Sequence, residues 1–111
     1  MSINPDIKID KFKMPINILG MSKKLDFVRI SETLKAVAHP VRIQIVAGLI
    51  NDECNVSMIQ ERLGLPQSTI SQHLAILRRY GIVRARREGV KVCYHVSDPA
   101  VRELIEILTR E

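Results

Sequence analysis

Tryptophan is absent from this chain of 111 residues, and aromatic side chains make up only 4 % of it. A core must therefore be aliphatic, and an apolar content of 46 % is enough for a small one. No stretch approaches the roughly 18 apolar residues of a membrane helix. The longest early apolar piece, Met14 to Met21, is broken by Pro15, Asn17 and Gly20 and preceded by Asp6 and Asp10, so it does not read as a signal peptide. Cysteine occurs twice, as Cys54 and Cys93, too few for a disulfide scaffold. A reducing cytoplasm, with no membrane association, is the expected setting. There is no glycine-rich phosphate loop and no nucleophile motif, and Asp26, Glu32 and His39 form no spaced constellation, so no enzyme and no cofactor is expected.

What is present is a basic charge confined to one segment. The net charge is +5. Between Gln67 and Ser97 six basic residues (Arg78, Arg79, Arg84, Arg86, Arg87 and Lys91) face one acid, Glu88, whereas the rest of the chain has eleven of each sign. A solvated surface would mix the signs; a cluster is the footprint of a polyanionic partner.

The length suits one domain. Residues 1–21, interrupted by Pro5 and Pro15, read as a weakly ordered arm or one that packs on a partner subunit, and residues 22–111 as the domain. Leu25, Val28, Leu34 and Val37 have near-helical spacing, which predicts a helix over Ser22 to Ala38, ended by His39-Pro40. Pro40 opens a second helix with Val41, Ile45, Val46 and Leu49 as its buried stripe. Ser57-Met58-Ile59-Gln60 fits a capping box for a third helix, which Gly64 ends. After Leu65-Pro66 a fourth helix runs from Gln67 to Tyr80 and stops at Gly81. The period then changes to two, predicting strands over Ile82 to Arg87 and Val90 to Val96 about a Glu88-Gly89 turn. Asp98 caps a last helix with Pro99 at its first position. The order predicts a mainly α fold with a small β-hairpin wing, a winged helix-turn-helix.

At about 100° per residue, Ile70, Leu74 and Leu77 of the fourth helix form an inward stripe. Ser68, Gln72, Ala75 and Arg79 lie opposite, flanked by Thr69 and Ser71. Small polar side chains let a helix approach the floor of a major groove, where Gln can pair with adenine and Arg with guanine. Gln67, Ser68, Thr69, Ser71, Gln72, Arg78 and Arg79 are therefore the candidate DNA-binding residues of this helix. His73 falls at the edge of the buried stripe and is a packing residue first and a DNA candidate second. Arg86, Arg87 and Lys91 on the hairpin are suited to phosphates or the minor groove, and also guard an exposed strand edge.

Leu34-Lys35-Ala36-Val37-Ala38-His39-Pro40-Val41-Arg42 resembles the opening of the ArsR/SmtB family of bacterial repressors. Leu65 to Leu74 resembles that family's recognition helix, and Gly81-Ile82-Val83, Arg86-Arg87-Glu88-Gly89 and Tyr94 its wing, so the likeness covers about residues 25–108. It implies a homodimer through the first and last helices, a near-palindromic double-stranded operator, and repression that an inducer relieves. Leu25, Val28 and Leu34, with Val101, Leu104 and Leu108, are available for the dimer.

The metal-binding signatures of that family are missing here. Where many relatives carry Cys-Val-Cys at the third helix, this chain has Asn55-Val56-Ser57. On the last helix Asp98 matches in type, but Ala100 stands where a His would be needed, so no metal site is expected. Cys54, just before the third helix, and Cys93, on the second wing strand, leave a thiol-redox alternative in which a disulfide ties the wing to the helix-turn-helix, against two small inert residues. A winged-helix protein-interaction module without DNA binding is the remaining alternative, and it would have no need of the arginine cluster.

Overall fold

Asp26 caps the first described helix. Its backbone is extended and its side chain accepts from Arg29 N at 3.0 Å, which caps helix α1, Phe27–Val37. A computed structural model describes residues 26–51 and 56–110; the expected arm, residues 1–21, and Cys54 lie outside the described residues. The helix expected from Ser22 thus has its first residue at Phe27, because Asp26 caps it from an extended position.

Helix α2 spans Pro40–Asn51. It is apolar on most sides and lies at the centre, meeting α1, the two helices that follow, the last helix and the second strand. Ile45, Val46 and Leu49 are fully buried. Helix α3, Val56–Leu63, is already under way at Ser57. Ser57 therefore lies inside the helix and does not cap it: the box would put the first helical residue at Met58, two positions after Val56.

Gly64, at φ 65°, ends α3 and donates back to the Gln60 and Glu61 carbonyls. After Leu65-Pro66 comes helix α4, Gln67–Arg79. Its exit is a Schellman motif. Ile82 N donates to Leu77 O at 2.9 Å, Gly81 N donates to Arg78 O at 3.0 Å, and Gly81 sits at φ 72°. Leu77 and Ile82, which the motif brings together, are both 0 % exposed.

Strands β1, Val83–Glu88, and β2, Lys91–Val96, pair antiparallel with Val83 opposite Val96, Arg86 opposite Cys93 and Glu88 opposite Lys91. Glu88 is thus still in the strand, and the loop is Gly89-Val90. The turn moves one residue from the expected Glu88-Gly89 because the first loop position has φ 63°, which glycine takes without strain. Ser97 ties the hairpin down: its N–H donates to Ile82 O and its Oγ to Gly81 O.

Asp98 then caps helix α5, Pro99–Thr109, accepting from Ala100 N at 2.9 Å and Val101 N at 3.2 Å. Val101 and Ile105 of α5 complete the core with Ile45, Val46, Leu49, Ile59, Ile70, Leu74, Leu77, Ile82, Val83 and Val96.

Candidate nucleic-acid interface

Helix α4 is divided as its periodicity requires. Ile70, Leu74 and Leu77 are 1 %, 5 % and 0 % exposed and face the core. Gln67, Ser68, Ser71, Gln72, Ala75, Arg78 and Arg79 are exposed, and Thr69 is half-buried between the two faces. The N-cap is Pro66, which has no side chain to accept from the first turn. The leading N–H groups of α4 therefore keep their partial positive charge toward solvent, an arrangement that suits phosphate.

On the hairpin Arg84, Arg86, Arg87 and Lys91 are exposed. Arg86 is paired: its Nη2 lies 2.6 Å from Glu88 Oε1, two residues along the same strand. Both partners are more than half exposed, so the pair is screened and exchangeable. Arg87 is opposite Val92 and Lys91 opposite Glu88. Arg86 faces Cys93 across the ladder, and Cys93 is buried at 5 % exposure. Val90, between Gly89 and Lys91, is fully exposed at the tip.

His73 does not join the outward face. It is half-buried, with its ring centroid 4.7 Å from that of His39 and its Nδ1 3.4 Å from Arg42 Nη1. Burial, His39 and Arg42 together hold its pKa below the usual histidine value. The sequence alone gives no sign of a role for Arg42. In the fold it also donates from Nε to the Ala36 carbonyl at 2.5 Å. His39 Nδ1 accepts from Val41 N at 3.1 Å.

Gly48 is a second residue that sequence reasoning missed. A Cβ on Gly48 would lie 2.8 Å from Ile59 Cγ1 and 2.9 Å from Ile59 Cδ1. Glycine on α2 therefore permits the close approach of α3, the first helix of the helix-turn-helix.

No group of three or more His, Cys, Asp or Glu side chains that could hold a metal occurs among the described residues. None of their helices is long and apolar enough to cross a membrane.

A turn-linked helix pair, a short antiparallel hairpin behind it and a closing helix define a winged helix-turn-helix DNA-binding regulator of transcription. Residues 39–85 match the family described as bacterial regulatory protein, arsR family. The transcriptional activator HlyU of Vibrio cholerae is 41 % identical over 96 residues, which cover 86 % of this chain and 87 % of HlyU. The transcriptional repressor PagR of Bacillus anthracis is 39 % identical over 70 % of this chain and 79 % of its own length. Among solved structures, HlyU from V. cholerae superposes with a TM-score of 0.70 over 81 % of this chain and 96 % of that one. The homodimeric winged helix-turn-helix domain of Mb0332 from Mycobacterium bovis, 29 % identical, gives 0.66 over 79 % of this chain and 86 % of that one. The chain belongs to the ArsR family of bacterial regulatory proteins, and its family and fold are those of transcription regulators, not enzymes.

Proposed function

We propose that the chain is a cytoplasmic, homodimeric repressor that lays α4 in the major groove of a near-palindromic operator and its wing, residues 84–91, on the backbone or minor groove. One observation carries this: α4 buries Ile70, Leu74 and Leu77 while Ser68, Ser71, Gln72 and Arg79 stay exposed beside the cationic hairpin. The dimer is supported by apolar side chains left exposed on α1 and α5: Phe27, Val28, Ile30, Leu34, Ile107 and Leu108. Mb0332, a relative of the same fold, is homodimeric. Repression rests on PagR and on the biofilm growth-associated repressor of Xylella fastidiosa, which is 33 % identical, whereas HlyU is an activator.

Two variants separate the roles. Gln72→Ala weakens binding to a duplex selected by the wild type by about 1–3 kcal/mol and relaxes its base preference. Arg87→Ala weakens binding to all duplexes alike. If Gln72→Ala lowers affinity for every sequence equally, Gln72 does not read bases.

Two residues at the start of α5 speak against a metal signal. Asp98 spends its carboxylate on two N–H groups of α5, and Ala100 offers no ligand. A thiol response is favoured by one observation: Cys93 is buried and disulfide-bonded, and the other cysteine of the sequence, Cys54, lies outside the described residues. Such a bond anchors the strand that faces Arg86. A dithiol reductant opens it with two electrons and two protons, giving two thiols; a peroxide closes it again and leaves as water. Operator affinity should then differ between oxidised and reduced wild type and not in Cys54→Ser/Cys93→Ser. Equal wild-type affinities in both states would remove the thiol response and leave the DNA-binding assignment standing.

A further inference from the structure

Arg42 and His73 meet where three elements converge. Arg42 leaves the first turn of α2 half-buried. Its Nε donates to the carbonyl of Ala36, in the last turn of α1, and its Nη1 reaches Nδ1 of His73, in the middle of α4. A guanidinium is planar and holds its donors in a fixed fork. Binding two partners at once therefore fixes both the distance and the direction between them. Ala36 belongs to the helix that carries the exposed apolar face, and His73 to the helix that carries the exposed polar one.

The contact also constrains the imidazole. Arginine has donors and no acceptor, so His73 Nδ1 must present its lone pair, and the ring must be neutral with its proton on Nε2. A protonated His73 has no acceptor left, and it adds a positive charge beside Arg42 and beside His39, whose ring stacks at a tilt of 46°. The charged or titratable groups facing His73 are thus Arg42 from α2 and His39 from the turn before it. From α1 comes the neutral Ala36 carbonyl, through Arg42. On α4 itself the neighbours one turn away, Thr69, Ile70, Ile76 and Leu77, carry no charge.

We infer that Arg42 is a positioning residue for DNA reading: its fork sets the recognition helix α4 against the end of α1 through neutral His73, and protonation of His73 releases that setting. This rests on the assignment of α4 as the DNA-reading helix. Arg42 itself need touch no nucleotide. In a two-fold dimer joined through α1, the fork would relate each recognition helix to the dimer seam, so its loss harms the spacing of two helices on one operator more than it harms attraction to DNA.

The test uses the full-length protein, a duplex enriched by the wild type from a random-sequence pool, and a scrambled duplex of the same composition. Dissociation constants for both are measured at fixed ionic strength across the histidine range. Arg42→Lys keeps the charge but cannot hold two partners in a fork. We expect it to lose about tenfold on the enriched duplex and less than twofold on the scrambled one. In the wild type the ratio of the two affinities falls on acidification. In His73→Gln, whose amide oxygen accepts from Arg42 without titrating, the ratio is retained at neutral pH and no longer falls. Thermal melting at neutral pH accompanies each measurement. Equal losses of Arg42→Lys on both duplexes would overturn the inference, since they mark a phosphate contact or a general loss of folded protein. An acid-side fall that persists unchanged in His73→Gln would overturn it as well. If the wild type enriches no duplex at all, the DNA-reading assignment fails and the inference with it; if the wild type discriminates and Arg42→Lys discriminates equally, only the inference fails.

Discussion

Arg86 Nη2 and Glu88 Oε1 lie 2.6 Å apart on the same strand of the wing, so the one acid of the basic segment holds one of its arginines. Phosphate must compete with Glu88 for that guanidinium. Both groups are well exposed, and the competition is a weak one. Glu88→Gln should therefore raise DNA affinity about two- to fivefold at low salt, with the gain shrinking as salt rises. Fluorescence anisotropy with a labelled duplex at two ionic strengths measures this. A loss of affinity would show that the pair pre-orders Arg86 for DNA instead of restraining it.

Gly48→Ala should destabilise the fold. The new methyl would sit under 3 Å from two side-chain carbons of Ile59, which is itself 4 % exposed and has little room to retreat. Overpacking of this kind costs about 1–3 kcal/mol, against a helix-propensity gain of under about 1 kcal/mol for replacing glycine. Chemical denaturation gives the difference. Gly48→Ala combined with Ile59→Val should recover part of it, because the shorter side chain removes the Cδ1 atom of the clash.

His73 gives stability a pH dependence of known sign. Its pKa is lowered in the folded chain by burial, His39 and Arg42, so the unfolded chain binds the proton more tightly. The folded state is unaffected above the ordinary histidine value of about 6.5 and loses stability as pH falls from there toward the lowered folded value. The melting temperature of the wild type should thus drop below that of His73→Gln as pH falls through this window, and the gap should stop growing below it. A gap that does not change with pH would contradict the assignment.

Much of the architecture was legible because it is decided locally. Gly64 and Gly81 take the left-handed conformation that ends a helix, and Asp98-Pro99 opens α5 with a cap and a pre-set φ. The two faces of α4 follow from 3.6 residues per turn and nothing else. Where two local signals lay a residue or a few apart, the boundary moved: Phe27 for Ser22, Gly89-Val90 for Glu88-Gly89, and Ser57 inside its helix. What sequence could not supply is contact between elements. Arg42 and His73 are 31 positions apart and look like a surface cation and a stripe-edge histidine until α1, α2 and α4 converge. Gly48 reads as a weak helix residue until α3 is laid against it.

If the exposed face of α4 and the cationic wing bind DNA, wild-type binding to a duplex it selects must weaken steeply as salt rises. Arg86, Arg87 and Lys91 on each of two wings would make about six phosphate contacts. The log–log slope of affinity against salt should then lie near −5, at about −0.9 per contact, for both the selected and a scrambled duplex. A flat salt response would contradict it.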